Sequence, residues 1–274
     1  MPTAQANGTT IAFARRGSGA PLLLIHGAEA DHSMFDALGA LLAEQFTVIA
    51  YDQRDSGATR NPDTPYGPTE LADDAAALIE VLGFERAHVF GTSLGGVIAQ
   101  VLAQRHPHRI DRLVLSSTFR AGVAPASINP EVFARLAGLR TGLPGSASEI
   151  ARYFFTERYL AVHPEVAALF AGNRRDAAQK QRRAAILTRP VVVDLGAISC
   201  ATLVLAGAED RLIPPAHTLS LAGELPDARA VTIADAGHVA VIQDPKAVAR
   251  EVLAFLQART TIGGNRDDHR GEQP

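Results

Sequence analysis

The segment Gly91-Thr92-Ser93-Leu94-Gly95 reads G-x-S-x-G. A short run, Ala87-His88-Val89-Phe90, precedes it, and a helical pattern, Val97-Ile98-Ala99-Gln100-Val101-Leu102-Ala103, follows. A serine on a sharp strand-to-helix turn has its hydroxyl lifted clear of the sheet, and glycines two residues before and after avoid a collision in that turn. The helix behind it aims free backbone N–H groups at the same spot. The bland alternative is a glycine turn with an incidental serine. A serine hydroxyl is a weak nucleophile at neutral pH, so it needs a base, and the base needs a carboxylate to orient it.

Two later loops offer these partners. The apolar run Thr202 to Ala206 leads into Gly207-Ala208-Glu209-Asp210-Arg211, and Ala230 to Ile233 leads into Ala234-Asp235-Ala236-Gly237-His238. Read in chain order, Ser93 is the nucleophile, Asp210 the orienting acid and His238 the base. Glu209 and Asp235 are rival acids, although an Asp before the histidine is also a common turn former. Of nine histidines, His32 and His163 are further candidates to line a pocket. His106, His108 and His217 fall at helix ends or loops, as solvated or capping groups. Acyl transfer also needs two backbone N–H groups aimed at the developing oxyanion. Leu94, next to the nucleophile, is one expected donor. Ala28, in the loop His26-Gly27-Ala28-Glu29 after the run Pro21 to Ile25, is the other, against the plainer reading of His26-Gly27 as a simple turn.

These residues need a frame. Short apolar runs alternate with longer helical patterns along most of the chain. Strands are expected at Thr10–Arg15 (an edge hairpin strand), Pro21–Ile25, Thr47–Tyr51, Ala87–Gly91, Arg109–Leu115, 202–206 and 230–233. Helices are expected at 35–44, 69–82, 94–105, 215–223 and 246–259. Thr69 is the expected N-cap of the second helix and Gly83 its stop. Such alternation implies an α/β fold with a mostly parallel sheet, to which these seven strands belong, and helices on both faces. From Phe119 to Asp194 the rhythm breaks into helical stretches near 130–139, 148–160, 164–172 and 176–187. We expect residues 1–118 and 195–259 to form a core domain, 119–194 a helical cap over the carboxyl ends of the strands, and 260–274 a disordered tail. In such sheets ligands bind at that end.

Composition narrows the function. The chain has 274 residues, 47% hydrophobic, with a net charge of −3; this supports a large core and makes nucleic acid a poor partner. The single cysteine, Cys200, builds no disulfide framework, which fits a cytoplasmic protein. Neither a signal peptide nor a membrane-spanning run is expected from the start of the chain or its apolar stretches. No His-x-x-x-His or Cys-x-x-Cys pair suggests a metal, His106-Pro107-His108 is too weak a signal for one, and Gly91–Gly96 lacks the Lys-Ser/Thr ending of a phosphate loop. No cofactor is expected. The partner would be a small-molecule substrate, and a homo-oligomer is compatible with the sequence.

With His26-Gly27, Asp52-Gln53-Arg54-Asp55-Ser56-Gly57-Ala58-Thr59, the turn at Ser93, Gly207-Ala208-Glu209-Asp210 and Ala236-Gly237-His238 in this order, the chain resembles the serine hydrolases of the α/β-hydrolase superfamily from about Asn7 to Gln257. It is most similar to capped esterases and lactonases, including 3-oxoadipate enol-lactonases and the methylesterases of polyketide pathways that share the Asp-x-Arg-Asp stretch. The resemblance implies the α/β-hydrolase fold, a mostly parallel eight-stranded sheet with helices on both faces and a helical cap insertion, and hydrolysis of a carboxylic ester or lactone through an acyl-enzyme. A C–C bond hydrolase, a perhydrolase or an acyltransferase would use the same triad, and a ligand-binding receptor would keep it unused. The resemblance also implies that the Asp52-Arg54 stretch braces the site structurally, and that a cap shapes the acyl pocket. Phe119, Phe154 and Tyr159, with Phe133 and Phe155, are candidates to contact substrate there. Two residues depart from the family pattern. Glu29 stands where relatives carry a small residue, and is expected to point outward or to meet a substrate cation or a cap arginine. Asp55 stands where many carry glycine. The basic run Arg174-Arg175, Lys180, Arg182-Arg183 reads as a solvated helix face, or else as an attractor for an anionic substrate.

Overall fold

The computed structural model describes residues 1–172 and 175–258. Eight strands form one sheet: β1 (Thr3–Ala6), β2 (Thr9–Arg16), β3 (Pro21–Ile25), β4 (Thr47–Tyr51), β5 (Ala87–Thr92), β6 (Ile110–Ser116), β7 (Thr202–Gly207) and β8 (Ala228–Ile233). Their spatial order is β1-β2-β4-β3-β5-β6-β7-β8. The pairs β1/β2 and β2/β4 are antiparallel and all others are parallel. The expected edge strand is therefore one place inward: β1 takes the edge and β2 lies between β1 and β4. The two-residue turn joining them, Asn7-Gly8, has positive φ at both positions, as a type I′ hairpin requires.

The continuous apolar runs are buried on both sides because helices cover both faces. In chain order the helices are α1 (Asp36–Leu42), α2 (Pro68–Val81), α3 (Leu94–Arg105), then α4 (Pro125–Ile128), α5 (Pro130–Arg140), α6 (Ala147–Ala151), α7 (Glu157–Val162) and α8 (Ala177–Ala185), and finally α9 (Pro215–Ser220), α10 (Ala240–Gln243) and α11 (Pro245–Gln257). In β3, Leu23 and Ile25 join the core that packs under α2 and α3, while Leu22 and Leu24 face the core under α1 and α11. Helix α2 starts one residue before its expected cap. Gly67, not Thr69, is the N-cap, with Pro68 in the first turn and the Glu70 carboxylate accepting from Gly67 N. Its end is as expected: Gly83, at positive φ, donates to Glu80 O while Phe84 N donates to Ile79 O, the paired bonds of a Schellman motif. No helix among the described residues is long and apolar enough to cross a membrane.

Strands β6 and β7 are hydrogen-bonded neighbours, yet helices α4 to α8 intervene between them in the chain, with no strand among the described residues of that segment. The helix expected over 148–160 is two: α6 ends, and Thr156 starts α7 by accepting from Tyr159 N. Helix α8 opens on a capping box in which the Asp176 side chain accepts from Gln179 N and the Gln179 side chain accepts from Asp176 N. Arg174, the last residue expected in the final helix, Arg259, and the 260–274 tail lie outside the described residues.

Candidate active site

Parallel strands place their carboxyl ends together. Ile25, Gly91 and Leu115 lie side by side in β3, β5 and β6, and Gly207 pairs with Ile233 in β7 and β8. The loops holding His26, Ser93, Asp210 and His238 all leave from this edge. Ser93 sits between β5 and α3 at φ 53°, ψ −120°, a conformation that costs a non-glycine residue about 1–3 kcal/mol. The surroundings enforce it. Ser93 N donates to Ser116 O, and Ser93 O accepts from Gly96 N, Val97 N and the Thr118 hydroxyl. The flanking glycines are steric necessities: a Cβ on Gly91 would lie 2.3 Å from Gly95 O, and one on Gly95 would lie 2.0 Å from Ile25 O.

Asp210 and His238 meet. His238 Nδ1 lies 2.8 Å from Asp210 Oδ2, and both residues are buried. A carboxylate oxygen accepts, so Nδ1–H is the donor in this bond and Nε2 is the ring nitrogen left for another partner. The other carboxylate oxygen accepts from Leu212 N and Ile213 N, each at 2.9 Å, which fixes the plane of the acid. Phe154 packs its ring edge-on against His238, with centroids 5.6 Å apart. The rival acids are elsewhere: Asp235 is exposed and pairs with Arg158, and Glu209 is exposed.

The loop after β3 is held by its own histidine. His26 Nδ1 lies 2.7 Å from Gly27 O, and its Nε2 accepts from Gln53 N. Burial, and secondarily the Arg183 charge, lower its pKa to about 3, so the ring is neutral and Nδ1–H donates. Gly27 O and Ala28 N–H belong to one trans peptide plane and point opposite ways, so His26 sets the direction of the Ala28 N–H. Leu94 begins α3, where the N–H groups of the first turn have no carbonyl of their own helix to bond.

Ser93, His238, Ala28 and Leu94 line one cavity of about 1030 Å³. Of the aromatic candidates, Phe119, Phe133, Phe154 and Phe155 line it, and Tyr159 does not. Tyr159 stacks on Phe155 at 5.2 Å and meets the His163 ring at 4.5 Å, so Tyr159 and His163 pack within the helical segment, and neither lines the cavity. His32 does line the cavity; its Nδ1 and backbone N both reach Asp52 Oδ1. Asp31, His32 and Asp52 bring potential ligand atoms within 4.8 Å of one another, but the hydrogen bonds to Asp52 and the capping of Ser33 by Asp31 account for them. The Asp52 stretch braces the loops: Asp52 Oδ2 accepts from Ala58 N, and Arg54 pairs with buried Asp74 at 2.6 and 2.7 Å.

Glu29 points to an arginine of the helical segment, with Arg140 Nε 2.8 Å from its Oε1. The basic run is not a solvated face at Arg175, Arg182 and Arg183. Arg182 grips Asp55, itself at positive φ, through two bonds of 2.7 and 2.8 Å; although burial opposes it, these bonds hold the Asp55 carboxyl below the usual range. Arg175 reaches Asp55 O, Ala30 O and the Ser56 hydroxyl and lines the cavity. Arg183 is buried, donating to Ala28 O, Gln53 Oε1 and Arg54 O. Burial and the nearby Arg175 charge pull its pKa down to about 10, so it is cationic at neutral pH. These contacts span 119 to 155 residues of chain, so no local pattern signals them.

This sheet, with an elbow serine beyond β5 and a His–Asp pair beyond β8 and β7, is that of an α/β hydrolase. The family model described as "alpha/beta hydrolase fold" matches residues 20–245, and the chain belongs to that family. Among curated relatives it is 31% identical to a poly(3-hydroxyalkanoate) depolymerase of Ectopseudomonas oleovorans, over 86% of this chain and 84% of that one. It is also 31% identical to a 2-hydroxymuconate semialdehyde hydrolase of Pseudomonas putida, over 88% of each. Among solved structures it is similar to the enol-lactonase of Burkholderia xenovorans, with TM-score 0.80, 28% identity, and coverage of 94% of this chain and 100% of that one.

Proposed function

We propose that this protein hydrolyses a carboxylic ester or lactone with Ser93, His238 and Asp210 as its catalytic triad. The observation that carries the reading is the buried His238–Asp210 bond opening onto the same cavity as a serine held at φ 53°. As the Ser93 oxygen bonds to the substrate carbonyl carbon, its proton passes to His238 Nε2. The carbonyl oxygen becomes an oxyanion, which the N–H groups of Ala28 and Leu94 receive. As the carbonyl re-forms, the bond to the alkoxy oxygen breaks and His238 gives that oxygen its proton. Water then repeats the steps on the acyl-serine, with His238 as base, and frees the acid. Asp210 stays ionised and stabilises the imidazolium.

Helices α4 to α8 act as a cap that supplies the wall opposite the sheet edge. That wall is aromatic at Phe133, Phe154 and Phe155 and cationic at Arg175. Carboxylates including Glu29, Asp31, Asp52 and Asp55 also line the cavity, but Arg175 is hydrogen-bonded to carbonyls and a hydroxyl, so its positive charge favours an anionic group of the substrate placed against it. A panel of p-nitrophenyl esters from acetate to decanoate, with the hemisuccinate beside them, tests this. Turnover of the esters, fastest with the hemisuccinate, is the expected result. Inert esters together with cleavage of a vinylogous 1,5-diketone would replace the reading with C–C hydrolysis.

A further inference from the structure

Two peptide planes flank Ala28, and a different group grips each. The plane ending in the Ala28 N–H is held at Gly27 O by His26. The plane beginning with the Ala28 carbonyl is held by Arg183 Nη2 at 2.7 Å. With both planes fixed, φ and ψ of Ala28 are fixed as well, because these are the only soft torsions between them. The same guanidinium donates through Nη1 to Gln53 Oε1 at 3.0 Å, and Gln53 Nε2 donates to His26 O at 2.6 Å. Arg183, Gln53 and His26 thus enclose the loop 26–28 from α8, the β4 loop and the loop itself.

A side chain that only filled space would not be a buried cation. Removing a guanidinium from water is costly unless its charge is compensated. Here the neighbouring carboxylate, Asp55, is already engaged by Arg182. Arg183 instead faces the carbonyls of Ala28 and Arg54 and the Gln53 amide oxygen, and its Nε has no hydrogen-bond partner. A cation so placed is useful beside a point where negative charge develops during reaction. We propose that Arg183 is a positioning residue for the oxyanion site: it holds the Ala28 carbonyl from helix α8, so that seating of the helical segment and completion of the oxyanion hole are one event. This rests on the reading of Ser93 as the nucleophile and of Ala28 N–H as an oxyanion donor.

The test compares wild type, Arg183→Met and Arg183→Lys on p-nitrophenyl butyrate, and measures by calorimetry how tightly each binds benzeneboronic acid, whose tetrahedral adduct on Ser93 is anionic. Loss of one oxyanion donor costs about 10²–10³ in rate, and a misaimed donor costs part of that. Arg183→Met is therefore expected to lower kcat roughly ten- to a hundredfold with KM within about threefold, and to weaken boronate binding by the same factor as kcat/KM. Arg183→Lys is expected to lie between the two, since one ammonium cannot span Ala28 O and Gln53 Oε1 as the planar fork does. A folded Arg183→Met protein with wild-type kcat and boronate affinity, or with raised KM alone, overturns the proposal. Should Arg183→Met fail to fold, Arg183→Lys decides, and an unchanged kcat in it is the overturning result. A wild-type protein that neither cleaves the ester nor binds the boronate sinks the Ser93 reading, and this inference with it. Wild-type activity lost in Ser93→Ala but kept in Arg183→Met sinks the inference alone.

Discussion

Replacing His26 by Asn is expected to change how the stability of this protein depends on pH. The His26 ring is fully buried, with Nδ1–H given to Gly27 O and Nε2 occupied by the Gln53 N–H. A second proton would have to enter at Nε2, against an N–H that already points there. Burial first, then the Arg183 charge, lower the pKa from 6.5 to about 3. The unfolded chain takes up this proton near pH 6.5, and the folded chain does not until near pH 3. Between those values the unfolded state binds more protons, so stability falls as pH falls. Integrating from pH 7 to pH 5 gives a loss of about 2 kcal/mol from this one group. His26→Asn removes the titration and leaves the other histidines and the carboxylates in place. Urea unfolding followed by circular dichroism, for both proteins at pH 7 and pH 5, reads the difference directly. The stability gap between wild type and variant is expected to shrink by ~2 kcal/mol at pH 5. A gap unchanged between the two pH values would refute the neutral, doubly bonded imidazole and with it the tautomer that aims the Ala28 N–H.

Three further outcomes follow from packing and charge. Gly95→Ala would set a Cβ 2.0 Å from Ile25 O, and backbone must move to admit it; we expect a loss of at least ~2 kcal/mol in urea unfolding, together with slower turnover in the p-nitrophenyl ester assay. Asp55→Asn breaks the grip on Arg182, whose side chain is only 13% exposed, and is expected to cost about 3 kcal/mol in the same assay. Because the Asp55 pKa is lowered in the folded protein, its contribution is present above pH 3.8 and is lost as pH falls through the folded value, so the variant and wild type converge in acid. Glu29→Gln removes a pair whose side chains are 44% and 35% exposed, and thermal unfolding is expected to register less than ~1 kcal/mol.

The sheet was legible in the sequence because each parallel strand is a short apolar run bounded by turn residues. Pro21–Ile25, Thr47–Tyr51 and the helix Leu94–Arg105 lie where their patterns place them. The first strand escaped because Thr3-Ala4-Gln5-Ala6 is short and half polar, although the Asn7-Gly8 turn after it is a hairpin signal. Helix ends shifted where capping chemistry competed: Pro68 fits the first turn, so Gly67 takes the cap that Thr69 was expected to fill. At the candidate site, the convergence of the loops carrying Ser93, Asp210 and His238 is legible because each follows a strand and the topology brings strand ends together. The side of the cavity built from the helical segment is not. Whether an aromatic residue faces the cavity, as Phe154 does, or a neighbouring ring, as Tyr159 does, depends on packing between short helices. The arginines of 175–183 read as surface charge because their partners, Ala28, Ala30, Ser56 and Asp55, are more than a hundred residues away in the chain.

If Ser93 is the acylated nucleophile, turnover depends on its hydroxyl. The direct test is steady-state hydrolysis of p-nitrophenyl butyrate by the wild type beside Ser93→Ala, with both checked for equal folding by circular dichroism. Turnover by the wild type and a loss of several orders of magnitude in kcat in the variant are the expected result. Equal rates in the two proteins would show that Ser93 is not the nucleophile.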